Sequence, residues 1–190
     1  MTDGPGARTM PRIEVGTRRD VGWFTWVLAH ASGRLTRTEP PKLFLTLGRH
    51  RKLFRGWLRF AGRLMPGGLL PRRETELVII RVAHLCGNRY EFDHHVRLGR
   101  RAGVTPADVE GLRAGPGSEG WNARERALLA ATDELVATGD LTDATWEDLR
   151  VHLDDRESIE LLLLVGHYRM LAGVINALRL EPDRDRHRRR

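Results

Sequence analysis

The sequence predicts an all-α protein, and three observations support that prediction. Apolar residues recur at spacings of three and four through most of the chain, for example over residues 43–65, which is the period of an amphipathic helix. No segment of reasonable length alternates apolar and polar residues as a half-buried strand does. Residues that stop and start helices separate the apolar segments, such as Gly103 followed by Thr105-Pro106.

The predicted elements follow one another in a simple order. Residues 1–19 are rich in Gly, Pro and Arg and are expected to be loose, residues 20–180 form one domain, and residues 181–190 form a charged tail. Pro40-Pro41 and Pro66-Gly67-Gly68 interrupt the helical pattern. In chain order, the predicted helices cover residues 21–31, 43–65, 72–85, 88–102, 106 to the loop at 115–118, 122–138, 142–152 and 156–180.

The composition is that of a folded domain rather than a disordered or fibrous chain. The 190 residues suit one domain, and 41% hydrophobic with 30% charged residues can build a core. The formal net charge is +7, but +3 of it lies in the last nine residues, so the remaining body is only mildly basic. We expect no nucleic-acid partner, because the arginine clusters also lack interleaved exposed aromatic residues.

The residues that commonly hold metals or cofactors are sparse. The single cysteine, Cys86, excludes an intramolecular disulfide and a metal cage built on cysteine. The adjacent residues His94 and His95 point about 100° apart on a helix and do not easily share one ion. The sequence has no glycine-rich phosphate loop and no serine nucleophile motif. We therefore expect no metal and no cofactor, and a small molecule as the ligand.

The apolar segments and the N-terminal residues bear on where in the cell the protein resides. The best candidate for a membrane span, residues 161–175, contains His167 and Arg169, so we expect a cytoplasmic protein without a membrane partner. The alternative is export, because residues 17–20 and the apolar stretch 21–31 resemble a twin-arginine signal. That stretch is rich in tryptophan and follows three acidic residues, which is unusual for such a signal.

Polar residues fall on the apolar face of the predicted helix 88–102. On a helical wheel, Asn88, Glu91 and His95 lie within the apolar arc, and the last two are one turn apart. An unpaired buried carboxylate costs several kcal/mol, so these groups must be paired, hydrogen-bonded or neutral. A Glu–His pair in a dry pocket can hold a proton near neutrality, as general acid–base catalysis requires. The alternative is a structural pair that only fixes helix packing.

Two other helices repeat this pattern. Glu76 lies among Ile79 and Ile80 on a helix that is apolar around most of its circumference. It is either a second carboxylate that converges on the same pocket or the partner of a core arginine. His167 lies on the apolar line of the last helix with Tyr168 beside it, although a lone histidine there is more often a satisfied core residue.

Residues 71–111 resemble the signature of the carboxymuconolactone decarboxylase family, within the alkylhydroperoxidase D-like superfamily. The shared pattern is Arg-Glu-x-Glu-Leu at the start of an apolar helix, then Cys-Gly-x-x-Tyr-Glu-Phe-x-x-His-Val, then a small residue and Gly before the next capped helix. The wider context over residues 40–182 is also similar. The resemblance implies an all-α helical bundle with a helical hairpin at the active site, and a homo-oligomer, dimeric to hexameric.

The resemblance also distinguishes two types of active site within the superfamily, a peroxidase type and a decarboxylase type. In the peroxidase branch a Cys-x-x-Cys-x-x-x-His motif carries a thiol pair, and a Glu on the preceding helix relays protons. Here Asn88 and Glu91 fill the two cysteine positions, Glu76 matches the relay glutamate, and His95 matches the histidine. Cys86 lies two residues early and has no partner, so peroxide reduction through a disulfide is chemically closed to this chain.

The remaining type of site predicts a cofactor-independent, decarboxylase-like enzyme acting on a small carboxylate- or lactone-bearing molecule. His95 and Glu91 are expected to transfer protons, with Glu76 as the relay or as the group that orients His95, and Asn88 is expected to bind a substrate oxygen. A pocket of low dielectric would destabilise the substrate carboxylate. The assigned catalytic residues are Glu76, Glu91 and His95, and the assigned substrate-binding residues are Asn88, His167 and Tyr168.

Two alternatives stay open from the residues alone. The same fold could serve as a ligand-binding or scaffold module without chemistry, since the apolar surface at residues 161–165 suits a subunit interface as well as a core. Thiol chemistry through Cys86 is the weaker alternative.

Overall fold

The computed structural model describes residues 10–186, and within this range the chain is all-α, which confirms the predicted fold class. A short 3-10 helix, Arg100–Ala102, follows the fifth α-helix. The α-helices in this range are α1 (Arg18–Thr36), α2 (Lys42–Leu47), α3 (Arg51–Leu64), α4 (Arg72–Leu85), α5 (Arg89–Gly99), α6 (Pro106–Ala114), α7 (Ala123–Thr138), α8 (Asp143–His152) and α9 (Asp155–Leu178).

Two of the predicted helices differ from the observed ones. The predicted helix 43–65 is wrong as a single element, because the chain turns after α2 and restarts at α3. Gly48 lies at this turn against α1, where a side-chain carbon would approach Thr25 to 2.5 Å, and His50 then accepts a hydrogen bond from the Leu53 backbone as the cap of α3. The first helix is longer than predicted and bends at Gly22, whose φ of +78° favours glycine.

Helix α4 is the centre of the fold. Every side chain from Thr75 to Ala83 is buried, which follows from a helix that is apolar around most of its circumference. Helices α5, α6, α7 and α9 pack around it. A large core cluster joins α4 to α7 and α9, and a smaller cluster around Leu77, Ile80 and Trp121 joins it to α6 and α7.

Partly buried ion pairs fix the position of α4 relative to its neighbours. The Arg81 guanidinium donates two hydrogen bonds of 2.6 Å to the Asp133 carboxylate on α7. At the start of α4, Arg73 donates to Asp108 of α6 and to Glu125 of α7 at 2.8 Å. Bidentate arginine–carboxylate pairs have a restricted geometry, so they set the orientation of α4 as well as its distance from α6 and α7.

Helix α9 is long and apolar enough, by length and composition alone, to cross a membrane, with a mean hydropathy of 1.5. His167 and Arg169 within this helix favour a core helix over a membrane span. In the folded chain α9 packs against α3, α4 and α7, and His167 is buried. Core helices of folded domains commonly have this composition, and α9 supplies one side of the core here.

The described parts of both terminal segments lie against the helices. The Arg12 amide donates to the Leu178 carbonyl at the end of α9. At the other end, Thr38 and Asp185 form an isolated antiparallel bridge, and Asp183 is buried. Backbone hydrogen bonds thus attach the described parts of both segments to the helices, although most of their residues are exposed. The predicted division into a loose N-terminal segment, one domain and a charged tail stays a prediction, and residues 1–9 and 187–190 lie outside the described range.

Candidate active site

The site is built on the α4–α5 hairpin. Helix α4 ends at Leu85, and the chain then turns at Gly87. The φ of Gly87 is +60°, which residues other than glycine rarely adopt. Asn88 then caps α5, because its Oδ1 accepts a hydrogen bond of 2.8 Å from the Glu91 amide. This tight turn places the two helices in antiparallel contact and brings Glu76 of α4 beside His95 of α5.

A chain of three charged side chains runs from the surface to the site. The half-exposed Arg72 guanidinium lies 2.7 Å from Glu76 Oε1, and Glu76 Oε2 lies 2.8 Å from His95 Nδ1. Glu76 is completely buried, and His95 is 3% exposed. Because an ionised Glu76 can only accept, His95 Nδ1 carries a proton and Nε2 is the nitrogen that faces away from Glu76.

His95 and Glu91 both hold protons more tightly than such groups do in water. Burial alone would lower the pKa of His95, but the Glu76 carboxylate, its hydrogen bond and the Glu91 charge outweigh burial and raise it. Burial raises the pKa of Glu91, and the Glu76 charge adds to this while His95 opposes it. Since His95 Nε2 lies 3.7 Å from Glu91 Oε2, the two groups titrate as a coupled pair.

Glu91 and His95 open onto a cavity of about 190 Å³, which we call the site cavity. Its walls come from α2, α3, α5 and α9, whereas Glu76 lies behind His95 and does not reach the cavity. A dry protein cavity of about 150 Å³ can bind benzene, so the site cavity suits a molecule with a single ring. The apolar part of its wall includes Leu43, Phe44, Trp57, Leu58, Met65 and Leu171.

Four polar atoms of the cavity wall are buried without a hydrogen-bond partner in the described part of the chain: Glu91 Oε2, His94 Nδ1, His167 Nδ1 and Trp57 Nε1. Buried polar atoms are normally paired, so this concentration around one cavity indicates a place for a polar ligand. Burial lowers the pKa of His94 to about 3 and that of His167 to about 4, so both rings are neutral at pH 7. A neutral imidazole can donate or accept, whereas the indole only donates.

Two of the predicted substrate-binding residues lie on the cavity wall. His167 and Tyr168 reach the cavity from α9, and the Tyr168 ring meets the His95 ring edge-on at 5.1 Å. Burial raises the pKa of Tyr168 well above 10, so its hydroxyl is a neutral donor at pH 7. Their placement agrees with the sequence analysis, and their role toward a substrate stays a prediction.

Asn88, the third predicted substrate-binding residue, connects two helices. Its Nδ2 donates to the Ala172 carbonyl and to Asn176 Oδ1, each at 3.1 Å, while its Oδ1 accepts from the Glu91 amide. The side chain therefore joins the start of α5 to α9, and it lies outside the wall of the site cavity, so its binding of a substrate stays a prediction. The Asn-x-x-Glu spacing at a helix start was the signal for this capping role.

His94 and Trp57 are cavity residues that the sequence analysis did not assign. On a helical wheel His94 lies on the polar arc of α5. A wheel describes a single helix and does not show which neighbouring elements pack against it. In the structure part of that face is covered: the His94 ring stacks on Tyr90 at 6.5 Å, and the Tyr90 hydroxyl donates to Asp183 at 2.7 Å. The C-terminal segment and α2 thus bury Tyr90 at the edge of this face, whereas Arg89 and Arg100 on the same face stay exposed.

Cys86 lies at the C-terminal end of α4, outside the wall of the site cavity. Its thiol is half-buried, and burial raises its pKa, so less of it is present as the reactive thiolate. The Cys86 position thus lacks the features of an activated cysteine.

The all-α fold is similar to that of solved proteins described as alkylhydroperoxidase D-like or peroxidase-related. A peroxidase-related protein from Silicibacter sp. TM1040 has a TM-score of 0.81 and 18% identity, over 96% of this chain and 98% of that one. An alkylhydroperoxidase AhpD core protein from Ralstonia eutropha JMP134 has a TM-score of 0.80 and 19% identity, over 93% and 94%. The debrominase Bmp8 has a TM-score of 0.76 and 16% identity, over 90% and 91%. At these identities the likeness concerns the fold alone.

One part of the sequence also matches a family model. Residues 51–134 match the sequence model of the Carboxymuconolactone decarboxylase family, and this range contains Arg72, Glu76, Glu91 and His95. Over this part of the chain the sequence therefore resembles the carboxymuconolactone decarboxylase family, in agreement with the pattern at residues 71–111. No curated protein sequence matches it.

Proposed function

We propose that the protein is a cofactor-independent enzyme that transfers protons to a small carboxylate- or lactone-bearing substrate, in the manner of a decarboxylase. The observation that carries this proposal is the position of His95 Nε2. Glu76 holds the opposite nitrogen of the ring at 2.8 Å, and Glu91 lies 3.7 Å from Nε2 beside a cavity of ring size. A proton donor held in one orientation next to a bound molecule is the requirement for general acid catalysis.

The charges of the site favour a substrate anion. Arg72 and Glu76 cancel each other, so the Glu91–His95 pair carries one positive charge when both groups are protonated and none once Glu91 ionises. Since the pKa values of both groups are raised, the positive form persists to higher pH than it would in water. A bound carboxylate would pair with this form and would itself be partly stripped of water by the apolar walls.

The decarboxylation step can be written with these residues. The bond between the carboxylate carbon and its neighbour breaks, carbon dioxide leaves, and the electron pair moves into the adjacent unsaturated lactone as a dienolate. The Tyr168 hydroxyl and the Trp57 indole N–H are neutral donors on the cavity wall that can stabilise the negative oxygen. The Glu91–His95 pair returns one proton to carbon and regains it from water.

The experiment compares turnover with fold. Wild-type protein is assayed against a panel of lactone acids and, separately, with a hydroperoxide and a thiol reductant. His95→Gln keeps a donor toward Glu76 but cannot supply the proton, so turnover falls by about 10²- to 10⁴-fold while helical content is unchanged. His152→Gln, at the end of α8 and outside the site cavity, is the matched control and retains turnover.

Two outcomes would contradict the proposal. Unchanged turnover in His95→Gln would remove His95 from the mechanism. Binding of lactone acids without any turnover would favour the alternative, a ligand-binding module with the same fold.

We also propose a homo-oligomer of this chain, as its superfamily resemblance implies. Helix α9 exposes Ile159 and Leu163, which are 58% and 47% accessible in the single chain. Exposed apolar side chains on one helix are typical of subunit interfaces. Sedimentation of wild-type protein beside Leu163→Glu tests this, and a monomeric wild type would contradict it.

A further inference from the structure

A second hollow lies directly behind one wall of the site cavity. It has a volume of about 340 Å³, and we call it the apolar groove. Its walls come mainly from α3 and α9, with Ile13 of the N-terminal segment, and they consist almost entirely of apolar side chains, including Leu47, Leu53, Met170, Val174 and Leu178.

Two side chains line both hollows, and we call them the partition: Trp57 of α3 and Leu171 of α9. Leu171 is buried, and Trp57 is half-buried. The site cavity and the apolar groove therefore share these two side chains in their walls.

Ring contacts hold Trp57 in the partition. Its indole stacks on Phe54, a residue of the groove, at 5.7 Å and on His167, a residue of the site cavity, at 6.0 Å, with Phe44 edge-on at 5.9 Å. Its indole N–H donates to no other group in the described residues. Shortening Trp57 therefore leaves no hydrogen-bond partner unpaired, so the partition can be reduced without the penalty that accompanies a lost buried hydrogen bond.

The two hollows differ in the chemistry that they can hold. The site cavity presents the polar atoms of Glu91 and His95, which suit an acidic head group. The groove offers apolar surface of the kind that stabilises an alkyl chain, about fourfold in affinity for each buried methylene group. A molecule that occupied both hollows would be an acid with an alkyl chain, and the partition stands between its two ends.

We propose that Trp57 determines substrate length: with the partition intact the site cavity accepts single-ring acids, and the groove becomes an alkyl-chain subsite when Trp57 is shortened. The identity of the acidic head group rests on the proposed function, but the position of the partition does not. Trp57 is thus a specificity-determining residue of the site, and the substrates it excludes are acids with alkyl chains longer than the cavity.

The test is a binding series that needs no turnover. Isothermal titration with 4-alkylbenzoates, from methyl to hexyl, is run on the wild type and on Trp57→Ala. The affinity of the wild type falls once the alkyl chain of the benzoate is longer than the site cavity. In Trp57→Ala the affinity rises two- to fourfold for each added methylene group. Trp57→Phe keeps a ring in the partition and gives an intermediate profile.

Controls separate the partition from general effects of losing a large side chain. Trp146→Ala removes a surface tryptophan of α8 and keeps the wild-type profile. Leu171→Ala opens the partition from the other side, and it replaces Trp57→Ala if that variant does not fold, as judged by circular dichroism. Two results overturn the proposal. In one, affinity depends on alkyl-chain length in both partition variants as it does in the wild type. In the other, neither variant binds any benzoate.

One further variant distinguishes this inference from the proposed function. His95→Gln is expected to weaken benzoate binding in both the wild-type and the Trp57→Ala background, because the head group pairs with the Glu91–His95 pair. If the chain-length profile changes with Trp57 while His95→Gln leaves the affinity unaltered, the partition is confirmed and the proposed function fails.

Discussion

Glu76 Oε2 lies 2.8 Å from His95 Nδ1, and this contact joins α4 to α5 at a point that solvent does not reach. It determines which ring nitrogen faces the site cavity, and it keeps a negative charge beside the imidazole. Because Arg72 pairs with the other oxygen of Glu76, the carboxylate is held in place from both sides. The protonation state of His95 is thus set by a residue that does not itself reach the cavity.

Removing the Glu76 charge should lower the pKa of His95. Glu76→Gln keeps the size of the side chain but removes the main interaction that raises this pKa, and burial, which lowers it, then prevails. NMR titration of the His95 ring measures the pKa directly, and the alkaline limb of any pH–rate profile should move to lower pH with it. Glu74→Gln, on the same helix but paired with Arg124, is the control. An unchanged His95 pKa would contradict this account of the contact.

Replacing Glu91 should separate rate from binding. Glu91→Gln cannot deliver a proton, so we expect kcat to fall by about 10²- to 10⁴-fold. The KM for an acidic substrate should stay the same or decrease, because the variant no longer places a negative charge beside the bound anion. Steady-state kinetics with a lactone acid checks both values. A rise in KM at constant kcat would show that Glu91 only binds substrate.

His94 and His167 should make the protein sensitive to acid. Their folded pKa values of about 3 and about 4 lie below the ordinary value of 6.5, so below pH 6.5 the unfolded chain binds protons that the folded chain does not. Their contribution to stability is therefore complete above pH 6.5 and is lost as the pH falls. As the pH falls from 6.5 toward the folded pKa, each ring lowers the free energy of unfolding by about 1.4 kcal/mol per pH unit.

The measurement for this prediction is a difference between two proteins. Urea unfolding of the wild type and of His94→Phe is compared between pH 7 and pH 4.5, because His95 and Glu91 contribute with the opposite sign in both. The variant should lose less stability than the wild type over this range, and His152→Gln should behave like the wild type. If the free energy of unfolding falls by the same amount with pH in the wild type and in His94→Phe, the prediction for His94 is wrong.

The contact between Tyr90 and Asp183 should stabilise the fold. The Tyr90 hydroxyl donates to Asp183 at 2.7 Å, and the Lys42 amide donates to the other oxygen at 3.0 Å, so the C-terminal segment is joined to α5 and to the start of α2. Tyr90→Phe leaves a buried carboxylate short of one donor and should cost about 1–3 kcal/mol of unfolding free energy in urea. Asp185→Asn, on an exposed side chain of the same segment, should cost much less.

Cys86 should be dispensable. Its thiol lies away from the site cavity, and burial raises its pKa, so Cys86→Ser should leave lactone-acid turnover unchanged. Peroxide reduction with a thiol reductant should be absent from both proteins. Peroxide reduction by the wild type that disappears in Cys86→Ser would restore thiol chemistry as the function and count against the proposed mechanism.

What the sequence determined by itself was local. Helical periodicity and capping residues predicted α4 at residues 72–85 as observed, and the wheel placed Glu91 and His95 on the buried face of α5, because both patterns depend on neighbours within a few residues. The tertiary structure decided what surrounds those residues. It placed Glu76 against His95, joined Tyr90 beside His94 to Asp183, engaged Asn88 in a cap and set Trp57 in the walls of two hollows. These contacts join residues distant in sequence, and a single-helix pattern does not contain the partner that packs against it.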